Sequence, residues 1–370
     1  MLKSRATAEA TAAYAQRFSA LDGNFRPMRG MAVSSLGLGT YLGESDAATD
    51  AAYAQSLRAA LSSGINLIDT AVNYRDQRSE RVIGAVLAEM SAAGQIRREE
   101  IVVATKGGYL AFDGGMPPDP RVWFDEHFIR TGIIQAGDVV NGSHCMTPRY
   151  LDAMIETSRK NLGLETIDIY YLHNPEAQLA AVNREQFRAR LADAFTALER
   201  AVSDGRIAIY GAATWNGYRA AMNDPGYLSL TEMAGVARAV GGDGHHFRVV
   251  QLPYNLAMTE ALTARNQPLP DNKPGSLLAC SDMLGIAVCA SASLLQGQLT
   301  RQLPGVLHET FPGMDSDAQR ALQFVRSTPG VNVALAGMSS AAHVADNLGV
   351  ARHPPASFET LLKLFQPANS

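Results

Sequence analysis

Between residue 36 and residue 349 a short apolar strand followed by a helix recurs eight times, and this repeat constrains the fold more than any other feature of the chain. The strands read as 36–40, 65–69, 101–106, 167–173, 207–214, 247–251, 286–291 and 331–337. Helices read as 47–63, 79–90, 147–162, 186–203, 228–240, 275–284, 316–327 and 341–349. Strands that alternate with helices pair in parallel and are buried on both faces, and eight such units close into a (β/α)8 TIM barrel of α/β class in a single domain. A doubly wound open sheet is the competing topology. It is disfavoured because no Gly-x-Gly-x-x-Gly follows any strand.

Around that repeat we expect an N-terminal helical extension over residues 1–24, the barrel over 25–352 and a C-terminal tail over 353–370. Residues 25–34 read as a hairpin with its turn at Gly30, and Ser79 reads as the N-cap of the second helix. Residues 107–147, after the third strand, form a loop of about forty residues, and 253–274 form a shorter excursion after the sixth. Both leave the C-terminal ends of strands, the face on which barrel active sites are built.

Composition narrows the partners. The chain is 46% hydrophobic and 18% charged with a formal net charge of −4, so it presents no basic field for nucleic acid or anionic membrane. No apolar run approaches the roughly 18–20 residues of a membrane span. Three cysteines, Cys145, Cys280 and Cys289, have no metal-type or disulfide-framework spacing, which points to a reducing cytoplasm and to no bound metal. His245-His246 stands in a glycine-rich stretch without the further ligands a metal site needs. A small molecule, neutral or weakly charged, is the partner that fits.

The strand ends carry the chemistry. The second strand finishes on Asp69, an acid that is costly to bury unless paired, and the third finishes on Lys106. Tyr74 follows Asp69 by five residues and His173 ends the fourth strand. A phenol titrates at about 10, and an ammonium within reach lowers that by about one to three units. Lys106 is thus expected to activate Tyr74, with Asp69 keeping Lys106 charged and aimed and His173 hydrogen-bonding the substrate oxygen or relaying the proton. The set suits proton transfer coupled to hydride transfer.

Read together, these residues resemble the aldo-keto reductase family. The carrying motifs are Leu36-Gly-Leu-Gly-Thr40, Asp69-Thr-Ala-x-x-Tyr74 with Ser79-Glu80 and Gly84, Ala104-Thr-Lys106 and the run from Leu162 through Tyr170 to His173-x-Pro175. Gly205-Arg-Ile, Tyr210-Gly211, Gln251 with Tyr254-Asn255, and Asn347-Leu348 follow in family order. The resemblance implies a barrel that binds NADP(H), with NAD(H) as the less frequent choice, across its C-terminal rim. It implies Tyr74 as general acid/base supported by Asp69 and Lys106, with His173 on the substrate. It assigns the cofactor to Thr40, Tyr41, Asp69, Thr214, Gln251, Ser291, Leu294, Gln296, Gly337, Ser339, His343, Asp346 and Asn347, the last group near a helix N-terminus that favours an anion.

Three positions depart from the family pattern. Ala213-Thr214 replaces a Ser-Asn pair, Ser291 replaces an aromatic that stacks on nicotinamide, and His343 stands where a base grips the 2′-phosphate. Trp215 or a loop aromatic can replace the lost stacking face. Two other functions share these residues. One is a Schiff-base enzyme using Lys106, opposed by the pairing with Asp69. The other is a cofactor-binding, redox-sensing barrel without efficient turnover. Trp123, Phe124 and Phe128 in the long loop either line a substrate pocket or pin the loop to the barrel.

Overall fold

The computed structural model describes residues 1–21, 23–135, 137–269, 271 and 273–366. Eight parallel strands form a closed barrel: β1 (Leu36–Gly39), β2 (Leu67–Asp69), β3 (Val102–Gly107), β4 (Ile167–His173), β5 (Ile207–Ala213), β6 (Phe247–Pro253), β7 (Ala287–Ser291) and β8 (Val333–Gly337). Each pairs with its neighbours in sequence, and β8 pairs with β1 to close the ring. The helices that follow are α1 (Ala47–Leu61), α2 (Arg78–Ala92), α3 (Pro148–Leu162), α4 (Arg184–Ser203), α5 (Leu230–Gly241), α6 (Leu277–Leu284), α7 (Asp317–Ser327) and α8 (Ala341–Gly349).

The two-residue period of a strand explains why one end of this barrel is apolar and the other chemical. Along β2 and β3, Leu67, Val102 and Ala104 point into the barrel, where they pack with Ile169, Tyr171, Val249, Cys289, Val333 and Leu335. One period further on, the same inward rows arrive at Asp69 and Lys106. Met28 and Val33 of the hairpin formed by Phe25–Met28 and Met31–Ser34 join this inner cluster and plug its N-terminal end. The alternate residues, such as Ile68, Val103, Tyr170 and Val250, face the helices in a larger outer core.

Packing between helices has one tight point. A side chain on Gly84 of α2 would come within 2.4 Å of the carbonyl oxygen of Asn161 on α3, so only glycine lets the helices approach there. Ser79 does not cap α2 as the sequence suggests. Gln77, in the left-handed region, occupies that position, and Ser79 instead donates to the carbonyl of Thr40 at 2.9 Å, tying α2 to the end of β1. A run of three left-handed residues, Arg75 to Gln77, brings the chain from Tyr74 into the helix and displaces the cap.

The N-terminal helix, Ala8–Arg17, is shorter than the sequence implies and sits on the barrel's lower face. Its Tyr14 is buried and donates to the carbonyls of Leu61 and Ile65. Asp168 accepts from the backbone of Ala6 and Val103 and pairs with Arg98 at 2.7 Å. Beyond residue 352 the chain adds the short helix Phe358–Leu362, whose Leu361 is buried. The last four residues of the sequence lie outside the described set. Among the described residues no helix is long and apolar enough to cross a membrane.

The long loop contains a helical turn, Pro120–Phe124, and a wide turn, Asp125–Ile129. Phe128 is buried against Val72, Ala111, Ile134, Cys145 and Tyr150, with Trp123 and Phe124 packed on the cluster. None of the three aromatics lines the cavity described below, so they pin the loop rather than shape the pocket.

Candidate active site

At the C-terminal end of the barrel a cavity of about 920 Å³ opens between the ends of the strands and the loops that follow them. Asp69 lines its floor and pairs through Oδ1 with Lys106 Nζ just beneath at 2.6 Å, both side chains nearly inaccessible to solvent. Lys106 also donates to the carbonyl of Thr70 at 2.8 Å, and Gln251 Nε2 donates to Asp69 Oδ2 at 2.7 Å. Every charge at this depth is therefore matched, as burial demands. Burial pulls the Lys106 ammonium downward, but Asp69 and Tyr74 outweigh it and hold it above its ordinary value.

Tyr74 lies over this pair, with Lys106 Nζ 4.9 Å from its ring centre. Tyr41 meets the ring edge-on at 5.0 Å and His173 at 6.0 Å. The phenol does not titrate low, as the sequence suggests. Desolvation is the dominant influence and raises it above its ordinary value, against the lowering by Lys106 and together with Asp69. Lys106 also lowers it less than a lone ammonium would, because a carboxylate at 2.6 Å partly cancels its field at Tyr74. His173 is pushed well below its ordinary value by burial, by Lys106 and by His144, which leaves it neutral.

Every position the sequence assigns to a cofactor lines this one cavity: Thr40 and Tyr41 after β1, Asp69, Thr214 after β5, Gln251, and Ser291, Leu294 and Gln296 at and after β7. So do Gly337 at the end of β8, Ser339 in the turn that follows, and His343, Asp346 and Asn347 along α8. Lys106 does not reach the lining and acts from behind. The loop after β7 holds Ala292, Leu295 and Gln296 in the left-handed region, and Asn255 Nδ2 donates to the Ala292 carbonyl at 2.9 Å, supporting that shape. Trp215 is 40% exposed and lines the cavity. No lysine or arginine stands among the lining residues.

These residues belong to a sequence with a matching family model. The model described as the aldo/keto reductase family matches residues 35–362. The chain belongs to the aldo/keto reductase family. The match covers the whole barrel, including Asp69, Tyr74, Lys106 and His173. Among related sequences, a D-threo-aldose 1-dehydrogenase of Pseudomonas sp is 32% identical over 42% of this chain and 41% of its own length. A 6-dehydroglucose reductase of Novosphingobium aromaticivorans is 30% identical over 50% of this chain and 49% of its own. The chain thus spans about half the length of these relatives.

Solved structures extend the likeness in fold over nearly the whole aldo/keto reductase barrel. The aldo/keto reductase of Klebsiella pneumoniae in complex with NADP and acetate superposes with a TM-score of 0.60 at 22% identity, covering 93% of this chain and 94% of that one. The glycerol dehydrogenase of Gluconobacter oxydans gives 0.63 at 19% identity, covering 92% and 94%.

Several lining residues of this aldo/keto reductase are not evident in its sequence. Tyr109 and Asn174 face the cavity, and Glu176 holds its rim. Glu176 Oε1 accepts from the backbone nitrogens of Trp215, Asn216 and Gly217 at 3.2, 3.4 and 3.3 Å, which fixes the turn presenting Trp215. His144, from the end of the long loop, is buried with its Nε2 2.7 Å from the His173 carbonyl oxygen. The signal available for that contact is the Gly107-Gly108 pair after Lys106. A side chain on Gly108 would lie 2.6 Å from the His173 carbonyl and 3.0 Å from His144 Nε2.

Proposed function

We propose that this chain catalyses the NAD(P)H-dependent reduction of an aldehyde, ketone or sugar carbonyl, or the reverse oxidation, with Tyr74 as general acid/base. The observation that carries this reading is the Lys106–Asp69 pair set directly behind Tyr74, with His173 beside it, on the floor of a large cavity. A phenol that stays protonated at neutral pH is an acid suited to the reduction direction. Tyr74 gives its proton to the carbonyl oxygen as the carbon is reduced, and the fixed ammonium of Lys106 stabilises the phenolate left behind. Asp69 holds that ammonium in charge and in place. Neutral His173 orients the substrate oxygen.

The cavity fits a nicotinamide dinucleotide. Thr214 Oγ1 is buried with no partner within the protein, which suits a hydroxyl awaiting a ligand amide, and Gln251 stands on the neighbouring strand. Trp215 offers a ring where Ser291 has none. The N-terminus of α8, with Ser339, His343 and Asn347 beside it, suits the adenosine phosphate end. When bound, the nicotinamide supplies or accepts the hydride. We take NADP(H) as the cofactor, in line with the Klebsiella protein solved with NADP, and NAD(H) as an alternative. Sugar-like substrates accord with the names of the two related sequences. The three cysteines are free and buried, in keeping with a reducing cytoplasm.

Tyr74→Phe tests the mechanism. Turnover, followed as loss of NADPH absorbance over a panel of carbonyl compounds, is expected to fall by about 10²–10⁴, while NADPH binding measured by tryptophan quenching changes little. A variant that keeps wild-type turnover overturns the role of Tyr74. A wild type that binds cofactor and reduces nothing favours a sensor instead.

A further inference from the structure

We propose that Tyr109 selects the substrate, reading a neutral carbonyl compound that bears hydroxyl groups, and that His144 is the positioning residue that holds it. This rests on the carbonyl-reductase reading above.

Tyr109 lines the cavity with Tyr74 and His173 and meets His173 edge-on, ring centres 5.0 Å apart and planes at 89°. Its other neighbour is His144, at 5.2 Å and 87°. The phenolic oxygen accepts from Asn174 Nδ2 at 3.0 Å, and Asn174 is itself fixed by its backbone nitrogen donating to the Ala213 carbonyl at 2.7 Å. The Tyr109 carbonyl accepts from Tyr150 at 2.6 Å. With its oxygen used as an acceptor, the hydroxyl keeps its own hydrogen to give. Asn73 lines the same cavity, and its Oδ1 has no partner within the protein, leaving an acceptor to be filled.

Charge sets the class of ligand. No lysine or arginine lines the cavity, and both oxygens of Asp69 are taken by Lys106 and Gln251. A carboxylate or phosphate next to the reacting carbonyl finds no counter-charge. A wholly apolar chain leaves a Tyr109 hydrogen and an Asn73 oxygen without partners, which is costly in a closed site. A neutral chain with hydroxyls beside the carbonyl satisfies both.

The position of Tyr109 depends on His144. Gln178 Nε2 lies 2.8 Å from His144 Nδ1, and Arg190 donates to Gln178 Oε1, fixing which end of the amide is the donor. His144 Nδ1 is therefore the acceptor, its proton is on Nε2, and that N–H donates to the His173 carbonyl. One imidazole thus props the ring of Tyr109 and secures the backbone of His173.

Glyceraldehyde and propanal, of equal chain length, separate the hydroxyl effect from everything else. In Tyr109→Phe the KM for glyceraldehyde is expected to rise about tenfold, with the KM for propanal and both kcat values within about twofold. His144→Ala is expected to raise the glyceraldehyde KM at least as much. His144→Gln restores it, because a glutamine amide can donate to His173 and accept from Gln178. The Kd of NADPH by tryptophan quenching stays unchanged in all three. Equal effects of Tyr109→Phe on both aldehydes, or a wild type preferring propanal, overturn the selection by Tyr109. A His144→Ala protein with a lower Tm and an unchanged KM overturns the positioning role. A wild type that reduces no carbonyl compound overturns the underlying reductase reading, and this inference with it.

Discussion

Gln251 on β6 reaches across the barrel to donate through Nε2 to Oδ2 of Asp69 on β2, 2.7 Å away, on the oxygen that Lys106 does not use. The carboxylate is thereby held at both oxygens, and the ammonium behind Tyr74 is fixed in direction as well as in charge.

Asp69→Asn keeps the shape and removes the charge. Lys106 is left buried without its counter-ion, a change that costs about 3–5 kcal/mol when a buried pair is broken. We expect that loss in urea unfolding at neutral pH, together with a drop in kcat of about 10² or more. A variant as stable and active as wild type would show that Lys106 is neutral in the folded protein.

Acid sensitivity follows from His144. Burial holds this imidazole down at about 4, against an ordinary value of 6.5, with the His173 carbonyl partly offsetting the effect. Between those values the unfolded chain binds a proton that the folded chain does not, so stability rises with pH there and is lost as pH falls from about 6.5 towards about 4. The contribution is roughly 3 kcal/mol over that window. His173, also lowered, acts with the same sign. His144→Gln is expected to flatten the slope of unfolding free energy against pH, and an unchanged slope would rule His144 out as its source.

Glu176→Gln tests the turn that carries Trp215. The carboxylate is raised above its ordinary value chiefly by burial, opposed by the backbone donors it accepts. A glutamine keeps one acceptor oxygen for the three N–H donors but removes the negative charge they share. We expect a red-shifted Trp215 emission, read in a Trp123→Phe background, and a weakening of NADPH binding of about three- to tenfold. Unaltered emission would mean the turn stands without the carboxylate.

Selectivity between cofactors is expected to be low. With no lysine or arginine along the cavity and Asp346 beside His343, the 2′-phosphate gains little beyond the helix terminus. The Kd values of NADPH and NADH should lie within about tenfold of each other. His343→Arg should improve NADPH by about tenfold, ~1.4 kcal/mol, through a charge-assisted hydrogen bond, and leave NADH unmoved. Equal gains for both cofactors would place the new guanidinium away from the 2′ position.

The barrel was readable because each buried strand is a short apolar run, and the floor of the cavity because charges at the ends of such runs are rare and must pair. Asp69, Lys106 and His173 stood out for that reason. Tyr109, His144, Asn174 and Glu176 did not, because their neighbours are distant in sequence: His144 meets His173 across 29 residues and Glu176 meets Trp215 across 39. The direction in which Tyr74 is shifted is illegible in the sequence for a related reason: burial sets it, outweighing the lowering by Lys106, and no motif encodes that depth. The cap expected at Ser79 failed because three left-handed residues ahead of it moved the helix start.

The long loop leaves the barrel at Tyr109 and returns at His144, and those two residues touch. An excursion closed at its root by its own first and last residues can vary in length and sequence without disturbing the strands below. Such a segment is open to evolutionary exchange as a cassette. Among the described residues none between 112 and 142 lines the cavity, so chimeras carrying foreign sequence there should keep both the substrates taken and the Kd of NADPH as long as Tyr109 and His144 still meet.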